Sequence, residues 1–273
     1  MFEYEIRLVK NWIEKDSSFF DIASYGLKDR KASGEIILKQ SNVIISGIEF
    51  IKTLLDEYQI EYEFFVHDGE LVNKNTIGII SGNAYNILIV ERTMLNIFSL
   101  MTAIATKTYN LVSRIRGTTK LAATRKVFPG IGNLEKLAVM HGGGDTHRFS
   151  LSDCIMIKDN HIKLYGGVKE AIDEVKKYGS FTKKIEVEIE KEEDAFIAAK
   201  YGADIVMLDN FSPEKAKSLA WKLKQSFSDL IIEVSGGINE NNYLEYVDDN
   251  IDVISMGKLT TEISYIDFSL EIK

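Results

Sequence analysis

The sequence predicts an α/β protein in which a barrel of parallel strands follows an N-terminal α+β domain. Its 273 residues exceed one average domain, and a barrel of about 200–250 residues plus a small extra domain fits this length. Residues 31–90 have the pattern of strands around one helix. Beyond residue 117, six short apolar runs alternate with helical segments, which indicates parallel strands connected by helices.

The N-terminal domain is predicted to contain a largely antiparallel sheet. Its strand-like runs are residues 34–39, 42–46, 61–66, 77–82 and 86–90. The segment His67-Asp68-Gly69-Glu70 has the composition of a turn between two of these strands. Apolar residues recur at helical spacing from Ile48 to Tyr58, so one helix is expected there.

A long helix is predicted from Val90 to Arg116, because apolar residues form a wide stripe along it. This helix is expected to connect an N-terminal domain at residues 1–116 to a barrel at residues 117–258. The tail at residues 259–273 is expected to pack back on the N-terminal domain. Arg92 lies near the helix N-terminus, where a cation gains nothing from the helix dipole, so a solvated surface arginine is one interpretation of it.

The barrel is predicted from repeated strand and helix units. The strands are expected at residues 120–123, 154–157, 185–189, 205–208, 230–234 and 253–256. The helices are expected near residues 131–142, 167–178, 191–201, 213–227 and 239–247. Six successive units favour an α/β barrel, although the same periodicity is compatible with an open sheet.

Composition argues against several classes of protein. The formal net charge of −8, with no long basic face, argues against general nucleic-acid binding. The sequence has neither the order of a signal peptide nor an apolar run of about 20 residues, so a cytoplasmic protein is expected. The single cysteine, Cys154, rules out an intrachain disulfide and a cysteine-based zinc cluster. It lies in an apolar run and is expected to be structural, with a nucleophile as the alternative.

One segment of this acidic chain is strongly cationic. Residues 114–163 contain nine lysines and arginines against four aspartates and glutamates. Such a segment suits a small polyanion, because each phosphate or carboxylate must be neutralised where water is excluded. The segment is too compact for a nucleic-acid duplex, so the expected ligand is a metabolite.

Polar residues recur at the ends of the predicted barrel strands. In chain order they are Thr124-Arg125-Lys126, Lys158, Glu188, Asp209, Ser235-Gly236-Gly237 and Gly257. Barrel enzymes build their sites at the carboxyl ends of the strands. The match between six polar positions and six strands therefore predicts one site at this end of the barrel.

The residue types at these positions suggest an electrostatic site. The Ser235-Gly236-Gly237 turn before a predicted helix suits a phosphate, with an ordinary tight turn as the alternative. Glu188 and Asp209 suit ribose hydroxyls or hydrated Mg²⁺, or else they only balance the charges of Lys126 and Lys158.

The arginines and histidines extend this site. Arg125 and Arg148 suit bidentate recognition of carboxylates, whereas lysines act as point charges. For His147 and His161, donating hydrogen bonds to a ligand and a purely structural role are both open. No serine or cysteine stands in a nucleophile–histidine motif, so stabilisation of charge without a covalent intermediate is expected.

A set of motifs carries a resemblance to a known family. In order they are Glu91-Arg92-Thr93-Met94-Leu95-Asn96, Thr124-Arg125-Lys126, Pro129-Gly130, Gly142-Gly143-Gly144, His147-Arg148, Ile157-Lys158-Asp159-Asn160-His161, Glu186-Val187-Glu188, Leu208-Asp209-Asn210 and Ser235-Gly236-Gly237. Over about residues 34–273 the chain resembles quinolinate phosphoribosyltransferase. The resemblance implies an incomplete α/β barrel with an N-terminal α+β open-faced sandwich domain.

The resemblance also implies a reaction and its participants. Phosphoribose would pass from phosphoribosyl pyrophosphate to the ring nitrogen of quinolinate, with release of CO₂ and pyrophosphate, to give nicotinate mononucleotide for NAD biosynthesis. Mg²⁺ is the implied cofactor. A homodimer is implied, because in this family the arginine that matches Arg92 reaches the site of the neighbouring subunit.

The resemblance assigns roles to residues of this chain. The implied quinolinate ligands are Arg92, Thr124, Arg125, Lys126, His147 and Arg148. The implied ligands of phosphoribosyl pyrophosphate are Lys158, His161, Glu188, Asp209, Ser235, Gly236, Gly237 and Gly257. Lys126, Lys158, Glu188 and Asp209 are the implied catalytic residues, and Glu188 and Asp209 the implied Mg²⁺ ligands, directly or through water.

The chain departs from the family pattern at four positions. Ala123 stands in place of an acid, Val127-Phe128 in place of two threonines, and Gly132 in place of an arginine. These departures resemble, in part, a paralogue encoded beside molybdate transporters, for which another aromatic acid would be the substrate. A non-catalytic phosphometabolite-binding protein is the second alternative.

Overall fold

The computed structural model describes residues 2–18 and 20–273, which form two compact units. Unit 1 comprises the residues up to Asn110, Val127–Gly143 and Leu259–Lys273, and unit 2 comprises Leu111–Lys126 and Gly144–Lys258. Each unit is thus assembled from separate stretches of chain. The stretch Val127–Gly143, which the sequence groups with the barrel, belongs to unit 1.

The described residues form nine α-helices and twelve strands. The helices are α1 (Glu3–Ser17), α2 (Ile48–Glu57), α3 (Ala84–Val112), α4 (Gly132–His141), α5 (Asp159–Tyr165), α6 (Val168–Val175), α7 (Glu192–Lys200), α8 (Pro213–Ser226) and α9 (Lys258–Thr261). The strands are β1 (Lys31–Leu38), β2 (Val43–Ile44), β3 (Glu61–Phe64), β4 (Leu71–Val72), β5 (Asn75–Asn83), β6 (Lys120–Ala122), β7 (Ile155–Ile157), β8 (Ile185–Ile189), β9 (Ile205–Asp209), β10 (Ile231–Ser235), β11 (Val253–Ser255) and β12 (Phe268–Ile272).

Unit 1 is built on a four-stranded antiparallel sheet with the order β12-β1-β5-β3. Along β1 every second residue from Gly34 to Leu38 is buried, which is the pattern of a strand with one face in the core. A second, two-stranded sheet pairs β2 with β4. The predicted mixed N-terminal domain is thereby confirmed.

Helix α3 satisfies the backbone of the chain around β2. Thr106 Oγ1 accepts the N–H of Ile44 at 2.9 Å, and Thr102 Oγ1 accepts the N–H of Ser46 at 3.3 Å. The two threonines lie four residues apart, so they share one face of the helix. These side-chain bonds satisfy buried backbone groups that a two-residue strand leaves unpaired.

The structure corrects the predicted extent of this helix. It begins at Ala84 and ends at Val112, so the strand predicted at residues 86–90 is wrong. By its length and apolar composition α3 is able to cross a bilayer. However, 61% of its most apolar 18-residue segment is buried inside the protein. A buried core helix passes the same test of length and composition, so this is weak evidence for a membrane span.

Asp68 begins helix α2 from a separate loop. Its Oδ1 accepts the N–H groups of Gly47 and Ile48 at 2.6 and 2.9 Å, and its Oδ2 accepts that of Glu49 at 3.3 Å. The first N–H groups of a helix have no partner within the helix, and a carboxylate there also interacts favourably with the helix dipole. The predicted turn at residues 67–70 thus has a capping role.

Unit 2 contains six parallel strands with the order β6-β11-β10-β9-β8-β7. All described pairings are parallel, and the first strand of the unit bonds to the last. Only the closure between β6 and β7 is missing from the ring of strands that the structure describes. This arrangement confirms an incomplete α/β barrel.

Other helical segments also differ from the sequence-based prediction. The sequence does not predict helices α1, α5 and α9. The helix predicted at residues 239–247 is only a 3₁₀ turn, Tyr243–Tyr246. It is preceded by a turn in which Asn242 Oδ1 accepts the N–H of Asn239 at 2.8 Å, and asparagine favours such local side-chain bonds over continued helix.

Candidate functional site

The strands of unit 2 place alternate side chains on one face. Glu186 and Glu188 lie two residues apart on β8 and therefore face the same way, as do Glu233 and Ser235 on β10. Glu188 is near the carboxyl end of its strand, and Ser235 is at the end of its own. The polar face thus continues from the strand ends one layer deeper, to Glu186 and Glu233.

Lys158 and Glu188 form an ion pair across neighbouring strand ends. Lys158 directly follows β7 and is the N-cap residue of α5, and Glu188 belongs to β8, which pairs with β7. The Glu188 side chain is 16% exposed and that of Lys158 is 43% exposed. The pair therefore lies at the solvent-accessible end of the sheet.

Asp209 adds a second carboxylate at the end of the next strand, β9. Burial raises the pKa of Asp209, and the negative charge of Glu188 raises it further, whereas Lys158 and Lys126 oppose the rise. Asn210 donates to Asp209 Oδ2 at 2.6 Å. The structure thus brings together two carboxylates that repel each other and two lysines that stabilise them.

A glycine turn follows β10 beside Asp209. Gly236 and Gly237 have φ values of +87° and +64°, in the left-handed region that favours glycine. A Cβ atom at Gly236 would overlap Asn210. The close packing explains this glycine. No α-helix directly follows the turn in the described residues, so the predicted phosphate site lacks a helix dipole and has backbone N–H groups and the Ser235 hydroxyl as its donors.

The Thr124-Arg125-Lys126 segment follows β6. Thr124 Oγ1 accepts the N–H of Lys126 at 3.1 Å, which orders the turn. A Cβ atom at Gly257 would lie 2.9 Å from Lys126 Cδ. Gly257 therefore allows the lysine side chain to lie against the end of β11, while Arg125 is exposed.

The His147-Arg148 segment turns its two side chains to different partners. The Arg148 guanidinium donates to the Cys154 carbonyl at 3.3 Å and to Met156 Sδ at 3.2 Å. The His147 side chain is only 13% exposed, and its Nε2 lies 3.3 Å from Glu233 Oε2 and 3.6 Å from Glu186 Oε1. Its ring is therefore directed into the barrel interior.

His161 has a local structural partner. Its Nδ1 accepts the backbone N–H of Lys158 at 2.9 Å and so closes the first turn of α5. This bond favours a structural role for the Nδ1 atom of His161.

Arg92 belongs to unit 1, on α3, where its side chain is 68% exposed and lies 3.9 Å from Glu91.

The cationic segment is not one cluster. Lys136 is 1% exposed and belongs to α4 in unit 1. Lys163 pairs with Asp159 at 2.8 Å on the surface of α5. Only part of this segment lies at the carboxyl ends of strands, and that part belongs to the predicted site. Local charge density alone therefore overestimates the number of site residues.

Comparison with known proteins identifies the family. A model described as the C-terminal domain of quinolinate phosphoribosyl transferase matches residues 104–271, and the N-terminal domain model of the same family matches residues 16–102. The chain belongs to the quinolinate phosphoribosyl transferase family.

Relatives in this family align along nearly their whole length. A probable nicotinate-nucleotide pyrophosphorylase (carboxylating) of Methanocaldococcus jannaschii is 43% identical over 280 residues, covering 99% of this chain and 98% of that protein. The human nicotinate-nucleotide pyrophosphorylase (carboxylating) is 34% identical, covering 97% and 90%. The structure of the Francisella tularensis nicotinate-nucleotide pyrophosphorylase gives a TM-score of 0.90 at 32% identity, covering 100% and 97%.

Val127 and Gly132, two positions at which the sequence is expected to depart from the family pattern, lie against each other. A Cβ atom at Gly132 would lie 2.6 Å from Val127 Cγ2. The branched side chain of Val127 therefore occupies the space that any side chain at position 132 needs. With Val127 in this position, only glycine fits at position 132 without a shift. Nothing in the structure explains Ala123 in the same way.

One groove in unit 1 includes Thr93 and Asn96 of the Glu91-to-Asn96 motif but none of the strand-end residues of the predicted site. It has a volume of about 770 Å³ and is lined by residues that include Trp12, Ile97, Phe128 and Tyr265. Its lining is mainly apolar, which does not suit a polyanion. Phe128, another departure from the family pattern, contributes its ring to this groove and is 58% exposed.

Sequence reasoning missed Glu186 and Glu233 as parts of the site. Both are buried, at 0% and 2% exposed. A glutamate inside an apolar strand cannot be assigned to the interior from its own position. Its spacing of two from Glu188 or Ser235 is the signal that could have identified it.

Proposed function

We propose that this chain transfers phosphoribose from phosphoribosyl pyrophosphate to the ring nitrogen of quinolinate, with loss of CO₂ and pyrophosphate. The observation that carries the proposal is the presence of Lys158, Glu188, Asp209 and the Gly236-Gly237 turn at the ends of four consecutive barrel strands. This set offers cations for phosphates and carboxylates for a sugar or a metal ion. The product is nicotinate mononucleotide.

Quinolinate binds through cations that match its two carboxylates. Arg125 and Arg148 form bidentate contacts, with Thr124 and Lys126 beside them. Arg92 of the partner subunit completes this subsite in a homodimer. The cations also stabilise the negative charge that develops on the ring carbon when the 2-carboxylate leaves as CO₂ and a proton takes its place.

Phosphoribosyl pyrophosphate binds at the neighbouring strand ends. Ser235, Gly236, Gly237 and Gly257 hold the 5′-phosphate through backbone N–H groups and the serine hydroxyl. Lys158 and His161 contact the ribose and pyrophosphate. Glu188 and Asp209 orient the ribose hydroxyls and stabilise the positive charge that develops on the sugar as pyrophosphate departs.

The residues fit a Mg²⁺ ion. Glu188 and Asp209 are partly buried oxygen donors at adjacent strand ends, and their mutual repulsion would be relieved by a cation. When bound, Mg²⁺ neutralises the leaving pyrophosphate. Lys126 and Lys158 supply further positive charge beside it.

Cys154 takes no part as a nucleophile in this proposal. Burial and the charge of Glu186 raise the pKa of the Cys154 thiol to about 12. The thiol is therefore neutral near pH 7, and the thiolate is the nucleophilic form. The proposed chemistry is instead positioning and charge stabilisation, in a cytoplasmic enzyme.

A product assay tests the proposal. The purified protein, Mg²⁺, phosphoribosyl pyrophosphate and quinolinate should give nicotinate mononucleotide, detected by chromatography. Product from another aromatic acid but none from quinolinate would instead support the paralogue activity. Binding of phosphoribosyl pyrophosphate without turnover of any acid would support a sensor, and Glu188→Ala would then change only its affinity.

A further inference from the structure

Asn210 follows β9 with an unusual backbone conformation. Its φ of +60° lies in the left-handed region, which few residues other than glycine adopt and which asparagine tolerates better than most. Its backbone N–H donates to the Ser235 carbonyl at 3.0 Å, one step beyond Asp209 and Ser235, the last pair of β9 and β10. The two strands thus stay joined at the point where the chain leaves β9.

The Asn210 side chain lies between two parts of the candidate site. Its Nδ2 donates to Asp209 Oδ2 at 2.6 Å, and because a carboxylate only accepts hydrogen bonds, this contact fixes which end of the amide is the donor. The other end lies against Gly236, where a Cβ atom would overlap the amide and would lie 2.5 Å from the Asn210 backbone nitrogen. One neutral side chain therefore contacts both the carboxylate at the end of β9 and the glycine turn after β10.

Two further asparagines hold the second glycine of the turn. The Gly237 carbonyl accepts the Nδ2 groups of Asn239 and Asn242 at 3.2 and 3.3 Å. Among the residues that the structure describes, the N–H groups of Gly236 and Gly237 donate to no acceptor within the chain. The turn is thus fixed through one carbonyl and through its packing, while its two N–H groups stay available for an anion.

We propose that Asn210 is a positioning residue that fixes the Gly236-Gly237 turn relative to the Asp209 carboxylate, and that it acts without contacting the ligand. A sugar phosphate has to reach the turn and the carboxylate at once, so the distance between them decides whether phosphate and sugar are held together. A displacement of about 1 Å in such a site can cost about 10²-fold in rate. Only the identity of that ligand, a phosphoribosyl group, rests on the proposed function.

Asparagine meets two requirements at this position, a left-handed backbone and an amide donor. Glycine adopts the left-handed backbone freely but has no amide to donate to Asp209. Aspartate has a similar size and also tolerates this backbone, but it replaces the donor with a second negative charge beside Asp209. Substitutions of Asn210 by glycine and by aspartate therefore keep the backbone and remove only the amide.

Nuclear magnetic resonance relaxation of deuterated, ¹⁵N-glycine-labelled protein without ligand tests the turn directly, and Gly237→Ala identifies one of its two signals. The Gly236 and Gly237 amides should have order parameters of about 0.85 in the wild-type protein and below about 0.6 in Asn210→Gly. Asn42→Gly is the matched control, because Asn42 is a left-handed asparagine of unit 1 with a φ of +59°, and it should leave both amides rigid. A turn that is already mobile in the wild-type protein, or that stays rigid in Asn210→Gly, would overturn the proposal.

Steady-state kinetics test the consequence for the proposed reaction. Asn210→Gly and Asn210→Asp should each raise KM for phosphoribosyl pyrophosphate about tenfold, while KM for quinolinate changes less than about twofold. Asn42→Gly should change neither constant. Equal increases in both constants would indicate a general structural role and would contradict the proposal, as would no increase in either. Absence of turnover in the wild-type protein would reject the proposed function, and the relaxation measurement would then decide the role of Asn210.

Discussion

The Lys158 ammonium and the Glu188 carboxylate are paired at the ends of two neighbouring strands. The pair places an ammonium group beside Glu188, the more covered of the two side chains, next to the second carboxylate, Asp209. A negatively charged group of the substrate can replace Glu188 as the partner of Lys158. The ribose hydroxyls or a metal ion can then bind the two carboxylates. The ion pair therefore prepares one binding surface for groups of opposite charge.

Glu188→Gln should lower kcat about 10²–10³-fold, because it removes one preorganised charge from the site while keeping the shape of the side chain. It should also weaken the dependence of the rate on Mg²⁺ concentration and lower the pKa of Asp209. Initial rates over a Mg²⁺ titration measure the first of these effects, and the pH profile of kcat measures the second. Glu192→Gln, a surface change at an ion pair with Lys222, serves as the control, and an equal loss of rate in that variant would argue against a specific role for Glu188.

Arg92→Ala and Arg148→Ala should each abolish turnover, and mixing the two variants should restore part of it. The reason is that a hybrid dimer with shared sites contains one site in which both arginines are intact. Activity after co-incubation, with subunit exchange verified by native mass spectrometry, measures the recovery. Exchange without any recovery would show that each subunit supplies its own Arg92.

The strand-end residues could be predicted from sequence because parallel strands bring their carboxyl ends to one place. This topology alone is enough to predict that Lys158, Glu188 and Asp209 belong to one site. The inward direction of His147 could not be predicted, since it depends on a positive φ and on two glutamates distant in sequence. Such contacts are tertiary, and local sequence carries no signal for them.

The fold shows a similar division. The barrel strands were found because each is a short apolar run between helices. The run at residues 86–90 was misassigned because a short apolar run has the same appearance in a strand and in a buried helix. Its continuation into the apolar stripe up to Val112 makes it helical, and only the length of the whole segment shows this.

Cys154 should resist alkylation in the folded protein. Its pKa of about 12 lies above the value near 9 of an ordinary cysteine, so almost no thiolate exists at pH 8. Because the folded-state pKa is raised, the unfolded chain releases this proton first as the pH rises, and stability should fall between about pH 9 and pH 12. Iodoacetamide labelling at pH 8 with and without denaturant measures the difference. Rapid labelling of the folded protein would contradict the raised pKa of this half-buried thiol.

The Val127–Gly132 contact predicts a specific coupling between two substitutions. Gly132→Ala alone should destabilise the protein by about 1–3 kcal/mol, because the new methyl group would lie 2.6 Å from Val127 Cγ2 and one of the two groups must shift. In a Val127→Ala background the same change should be neutral or slightly stabilising, since alanine is the better helix former.

A double-mutant cycle measured by urea unfolding gives the coupling free energy, which should be about 0.5–3 kcal/mol. Gly166→Ala is a suitable comparison, because its position has no atom within 4 Å of a new Cβ and its φ of +88° makes alanine unfavourable for backbone reasons alone. Val127→Ala should leave the cost of Gly166→Ala unchanged. Additive effects at Val127 and Gly132 would mean that the two departures from the family pattern arose independently of each other's packing.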